Sequence, residues 1–118
     1  MGEVSEYVES LSGADRALVE GVYGRARALV PDAQEGRSYG MPALRYRGRP
    51  LVAARASADH VGLYPFSSDV LAAEAEALAG LRTTKGSVSL DRDAALPADV
   101  VDRLVTARRD EIDAAEDS

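Results

Sequence analysis

Several residue types are missing from this sequence or are rare in it. Its 118 residues include no cysteine, no tryptophan, one phenylalanine, one histidine (His60) and one lysine (Lys85) beside 13 arginines. The absence of cysteine excludes a disulfide framework, a thiolate metal site and a cysteine nucleophile. No stretch approaches the ~20 apolar residues of a membrane span, and the acidic start MGEVSEYVES lacks the layout of a signal peptide. We therefore expect a cytoplasmic protein without membrane contacts.

The length and the composition favour one folded domain. A chain of 118 residues with 46% hydrophobic residues can bury a core without disulfides or metals. We expect this domain to span residues 1–118, with residues 113–118 as a frayed tail.

The net charge of −6 is unevenly distributed. Residues 36–60 contain five arginines and only one acid, Asp59, whereas both flanking segments are acidic. Nucleic-acid binding needs a broad positive face, so we expect no nucleic-acid partner. A basic middle third could still hold one small anion locally.

Apolar residues recur with helical spacing on both sides of this middle third. The patterns predict helices over 3–11 and 12–30, the second with Ser12 and Asp15 as an N-terminal capping signature. Two more helices are predicted, one over 69–79 and one opened by Pro97.

The middle third alternates with a period of two and is punctuated by Gly and Pro. We predict turns at Met41-Pro42, Gly48-Arg49 and Ala58-Asp59, strands between them, and a short edge strand over 87–90. The predicted fold is therefore α+β: an antiparallel meander of four or five strands, with N- and C-terminal helices on one face.

The opposite sheet face is the first candidate site. If Val61 and Leu63 face the helices, His60 and Tyr64 face outward. Aromatic, guanidinium and imidazole groups would suit a small anionic or planar ligand. The alternative is that these residues only solvate a half-exposed sheet. The candidate ligand-binding residues are Tyr39, Met41, Arg45 or Arg55, Tyr46, His60, Tyr64 and Lys85.

Acidic residues at the two ends of the chain are the second candidate. Glu3, Glu6 and Glu9 share one face of the first helix, and Asp110, Asp113 and Asp117 recur along the last. Carboxylates suit hard cations such as iron, Mn or Mg. The alternative is a solubilising acidic surface. Isolated further candidates are Glu35, Asp91 and Asp93.

Catalytic patterns are sparse. With one histidine and no Gly-x-Ser-x-Gly elbow, a serine-based triad has little support. Asp59 is the neighbour of the strand-borne His60 and does not form a dyad with it, because successive residues of a strand point to opposite faces. We expect no enzymatic activity.

Four short motifs resemble a known family. S-Y-G-M-P-A-L at 38–44, R-G-R-P-L at 47–51, H-V-G-L-Y-P at 60–65 and T-T-K-G at 83–86 resemble the YdhG-like family. These are small bacterial domains, mostly of unassigned function, and one branch is described as frataxin-type intracellular iron chaperones.

The resemblance implies a non-enzymatic binding protein in which surface carboxylates hold labile iron and Lys85 lies near a pocket mouth. A small-ligand site on the open sheet face, a protein–protein module and a homodimer remain alternatives.

Overall fold

A five-stranded antiparallel sheet, in the order β1-β2-β3-β4-β5, organises the computed structural model, which describes residues 2–118. The predicted α+β meander with terminal helices is confirmed. The elements are α1 (Glu3–Ser10), α2 (Gly13–Leu29), β1 (Gln34–Ser38), β2 (Met41–Tyr46), β3 (Arg49–Ala56), β4 (Val61–Tyr64), α3 (Ser68–Ala73), β5 (Val88–Leu90) and α4 (Ala98–Glu116).

The main core lies between the sheet and the helices. Val61 and Leu63 of β4 are fully buried in it, as their alternation with His60 and Tyr64 predicts. Val22 on α2 and Leu104 on α4 pack into the same cluster. Each such side chain contributes about 1.5–3 kcal/mol when it leaves water. Among residues 2–118, no helix is both long enough and apolar enough to cross a membrane.

Two hairpin turns lie one or two residues before their predicted positions. Tyr39 and Gly40 have φ angles of 52° and 77°, and Arg47 and Gly48 have 52° and 80°. Positive φ at both central residues is typical of type I′ turns, in which glycine at the second position avoids strain. The predicted turns at Met41-Pro42 and Gly48-Arg49 are therefore wrong, and Met41 and Pro42 begin β2.

Pro42 is tolerated in this strand because a tyrosine from α2 fills the gap beside it. In the antiparallel pairing of β2 with β3, Leu44 lies opposite Val52. The same register, continued two residues back along β2, brings Pro42 opposite Ala54. Pro42 has no N–H to donate across that pair. The Tyr23 hydroxyl instead donates to the Pro42 carbonyl at 2.8 Å and accepts from the Ala54 N–H at 2.9 Å. The hydroxyl thus bridges the two strands where their ladder opens.

A second tyrosine completes the same edge of β3. The Ala56 N–H donates to the Tyr7 hydroxyl of α1 at 2.8 Å. Ala54 and Ala56 lie two residues apart, so both amides point toward the β2 side of β3. The two N-terminal helices therefore satisfy the part of β3 that extends beyond β2.

The helix ends differ from their predicted positions. α3 stops at Ala73 rather than continuing to 79, and the following residues form tight turns such as Ala79 N–H to Glu76 O. Burial of Leu78 outweighs the helix propensity of this alanine-rich segment. α4 continues to Glu116, into the tail expected to fray.

The predicted N-cap position of Ser12 at the start of α2 is confirmed, but the side-chain hydrogen bonds of the capping signature are absent. The carboxylate of Asp15 binds the guanidinium of Arg92 instead.

Replacing Tyr23 by Phe should destabilise the protein by about 1–3 kcal/mol, because it leaves the buried Ala54 N–H and the Pro42 carbonyl unpaired. Urea unfolding followed by circular dichroism measures this change. Tyr39→Phe is the matched control, since the Tyr39 side chain is 85% exposed. Equal stabilities of the two variants would contradict a bridging role for Tyr23.

Candidate ligand-binding site

The sheet face turned away from the helices, here called the open face, is covered by its own side chains. Two glycines on it lie under longer neighbours: a Cβ on Gly36 would be 3.0 Å from Arg45 Cδ, and one on Gly62 would be 2.8 Å from Tyr64 Cε2. Between them Ala43 and Ala53 are 0% exposed. The open face therefore presents a filled surface rather than a concave floor.

The structure divides the predicted ligand-binding residues among several places. Met41 and Tyr64 lie in the small apolar cluster of the open face, and the Arg45 guanidinium binds Ser38 Oγ and the carbonyl oxygens of Arg37 and Gly48. Tyr39 lies in the β1–β2 turn, with its ring stacked on Phe66 at a centroid distance of 5.7 Å.

Tyr46 does not belong to the open face. It packs against the main core, and its hydroxyl donates to Asp113 Oδ1 at 2.7 Å. The prediction that Tyr46 shares a ligand-binding face with Tyr64 is therefore wrong. Tyr46 follows Leu44 by two residues in β2, so strand alternation places both side chains on the core side of the sheet.

His60 lines a cavity at the β5 edge of the sheet. This His60 cavity has a volume of about 390 Å³. The β3–β4 turn supplies His60, β5 supplies Ser89, and the segment before β5 supplies Arg82. Its apolar wall consists of Leu81, Leu90, Ala94, Ala95 and Pro97. A small ligand would find polar donors on one side and aliphatic carbon on the other.

Lys85 lines a neighbouring groove. This Lys85 groove has a volume of about 690 Å³ and runs between α3 with its following turns and the segment 83–85. Leu71, Leu78 and Leu81 supply apolar lining. Gly80 and Leu81 line both the groove and the His60 cavity, so one short stretch of chain separates them.

Few basic side chains of the described residues are without a charged partner. Most arginines have a carboxylate oxygen within 4.0 Å. Within residues 2–118 the exceptions are Arg45, Arg55, Arg82 and Lys85, and Arg45 is bound to neutral oxygens. Arg82 lines the His60 cavity and Lys85 lines the adjoining groove. Positive charge without an ion-pair partner therefore lies beside both the cavity and the groove.

Two carboxylates, those of Asp59 and Asp91, also line the His60 cavity. Asp91 Oδ1 accepts the Asp93 N–H at 2.8 Å. Asp59 adds to the field at Arg92, whose pKa is raised mainly by its hydrogen bond to Asp15 and to a smaller extent by the charge of Asp59. Arg82 is the arginine among the lining residues and makes no ion pair within residues 2–118, so its positive charge is available to an anionic ligand.

The carboxylates predicted to hold metal are dispersed. Across residues 2–118, no group of three or more His, Asp or Glu side chains is arranged to hold an ion. Glu6 and Glu9 are exposed on α1, and the Glu3 carboxylate lies 3.7 Å from Arg37. On α4, Asp110 contacts Arg109 at 3.0 Å. Hydrogen bonds from Tyr46 and then Arg47 lower the pKa of Asp113.

Glu35 has a structural role at the start of α1. Gly2 occupies the N-cap position and has no side chain to accept from the first amides. Glu35 of β1 replaces it: Oε1 accepts the Ser5 N–H at 2.6 Å, and Oε2 accepts the Ser5 hydroxyl at 2.8 Å. Burial raises the pKa of Glu35, but the hydrogen bonds from Ser5 and the charge of Arg27 outweigh it, so the pKa is lowered.

Comparison with known proteins agrees with this architecture. The class is α+β, with an open antiparallel sheet in meander order. A solved structure with the same fold is that of a protein of the DUF1801 family, YdhG from Bacillus subtilis. It has a TM-score of 0.79 and 14% sequence identity, and the match covers 91% of this chain and 88% of that one. The expected YdhG-like fold is confirmed.

This likeness concerns the fold alone and does not extend to the iron-chaperone branch. No family model matches the sequence, and no curated protein is similar to it.

Arg82 and Ser89 are cavity residues that sequence reasoning missed. The Ser89 N–H donates to the Arg82 carbonyl at 2.8 Å, which places the two residues side by side. The one available signal was the position of Arg82 three residues before Lys85.

Glu35→Gln should lower the stability at pH 7 by about 1–2 kcal/mol, because it removes a charged acceptor at a helix N-terminus. The folded pKa of Glu35 lies below its ordinary value of 4.5. Its contribution is therefore present above about pH 4.5 and is lost as the pH falls through the folded pKa. Urea unfolding between pH 7 and pH 3 should show the difference from wild type shrinking in acid. Glu6→Gln, on the exposed side of α1, is the control, and a pH-independent difference would exclude the charge as the cause.

Proposed function

We propose that the protein is a non-enzymatic binding protein that holds a small anionic ligand in the His60 cavity. The observation that carries this proposal is Arg82, a lining residue of the cavity whose guanidinium makes no ion pair or side-chain hydrogen bond with residues 2–118. A guanidinium binds carboxylate or phosphate oxygens through paired N–H donors. Ser89 and His60 can add further polar contacts.

The surroundings of His60 support binding rather than catalysis. None of the side-chain hydrogen bonds in residues 2–118 joins His60 to a serine, an aspartate or a glutamate. General-base catalysis needs the base within hydrogen-bond reach of the group that it deprotonates. The proposed role of His60 is therefore to donate to or accept from the ligand.

Iron carriage, which the sequence resemblance implies, has weaker support. It would need carboxylates that converge on one ion, whereas those of Glu3 and Asp113 face arginines and those of Glu6 and Glu9 extend into solvent. The likeness to a DUF1801 protein adds support for the fold alone.

Arg82→Gln should weaken anion binding about tenfold or more, since a charge-assisted hydrogen bond contributes about 1.5–3 kcal/mol. Titration of wild type and variant with phosphate, sulfate, acetate and butyrate, followed by amide NMR shifts, measures this change. The shifts should concentrate at Gly80, Arg82 and Ser89.

Arg55→Gln is the matched control for the loss of one positive charge. Arg55 also makes no ion pair with residues 2–118, but it lies in β3 and does not line the cavity. Equal affinity of wild type and Arg82→Gln for every anion, or equal losses in both variants, would overturn the proposal.

A further inference from the structure

The segment 82–85 contains two basic residues without an ion-pair partner among residues 2–118, and they lie beside two adjoining spaces. Arg82 lines the His60 cavity, and Lys85 lines the Lys85 groove. The segment between them is extended, because Thr83 bridges to Val88 and the Thr84 N–H donates to the Ser87 carbonyl. Three residues of extended chain span at most about 10–11 Å. The Cα atoms of Arg82 and Lys85 are therefore at most about that far apart, and their side chains enter two adjoining spaces.

Gly80 and Leu81 form the boundary between the two spaces, because they line both. Gly80 is exposed and has no side chain, so it adds no bulk to this boundary. Leu81 follows it and is only partly buried. A flexible ligand can therefore lie across Gly80, with one part in each space.

The lining of the groove suits an apolar section of such a ligand. Leu71 and Leu78 are each 6% exposed and belong to the main core, and their outer atoms line the groove beside Ala72 and Ala75. The Thr84 hydroxyl is engaged by Gly86 and Ser87, so it competes little for a ligand. Asp69, in the first turn of α3, is the carboxylate among the lining residues of the groove. Lys85 is the basic lining residue of the groove, and it makes no ion pair within residues 2–118, so it can bind a second anionic group.

From this arrangement we infer that the ligand class is an aliphatic dianion, with one anionic end at Arg82 and His60, a chain across Gly80 and Leu81, and the second anionic end at Lys85. The inference rests on the proposed function, since it takes the His60 cavity as the site of the first anionic group. Linear α,ω-dicarboxylates represent this class. Two anchored ends joined by a chain of matching length bind more tightly than either end alone, because the second contact is intramolecular.

The test is a titration of the whole protein with succinate, adipate, suberate and sebacate, and with the monomethyl ester of each. The esters keep the chain and remove one charge. Affinity should peak at an intermediate chain length, and the best diacid should bind at least tenfold more tightly than its monoester. Amide NMR shifts should then appear at Lys85 as well as at Arg82.

Variants separate this inference from the proposed function. Lys85→Gln should weaken the best diacid about tenfold and leave its monoester and butyrate unchanged, whereas Arg82→Gln should weaken all three. Arg55→Gln is the control for net charge, and thermal melting confirms that each variant is folded.

Each outcome decides between the two ideas. If diacids bind no better than their monoesters while Arg82→Gln still weakens both, the cavity binds anions and the bridging ligand is wrong. Equal losses for diacid and monoester in Lys85→Gln would also overturn the bridging ligand. If neither diacids nor monoanions bind, the bridging ligand and the proposed function fail together.

Discussion

The Tyr23 hydroxyl, held between Pro42 and Ala54, is the contact on which the rest of the sheet depends. It joins α2 to two strands at the point where proline removes a ladder hydrogen bond. Burial raises the pKa of Tyr23 to about 12, so the hydroxyl stays protonated and can donate at any physiological pH. The Tyr7 hydroxyl accepts the N–H of Ala56, two residues further along β3. The two N-terminal helices are therefore fixed to the sheet by polar contacts as well as by apolar packing.

The open face is filled by side chains of the sheet itself and of the segments beside it. A sheet with helices on one side leaves its other side to water unless long residues cover it. Here Arg45 and Tyr64 lie across Gly36 and Gly62, and Phe66 stacks on Tyr39. Surface that could have been a binding floor is thereby used for packing. The His60 cavity and the Lys85 groove lie instead at the β5 edge, where a short strand and irregular segments leave volume unfilled.

Ion pairing explains which charges are available. The basic middle third of the sequence does not form a positive surface, because Arg47 and Arg49 bind carboxylates of the last helix. These pairs stabilise the junction between β2, β3 and α4, and they engage Asp113, one of the carboxylates predicted to hold metal. Positive charge without a partner remains mainly beside the two spaces at the β5 edge.

The sequence by itself determined the α+β class, the meander, and the inward direction of Val61 and Leu63, because a period of two and glycine-containing turns are local properties of the chain. It could not place the turn before Met41, since the acceptance of Pro42 within β2 depends on Tyr23, 19 residues away. It also could not show that the Tyr46 hydroxyl reaches Asp113 of α4 or that Arg82 lines a cavity. Such contacts depend on strand register and on the packing of distant segments, and only the tertiary structure decided them.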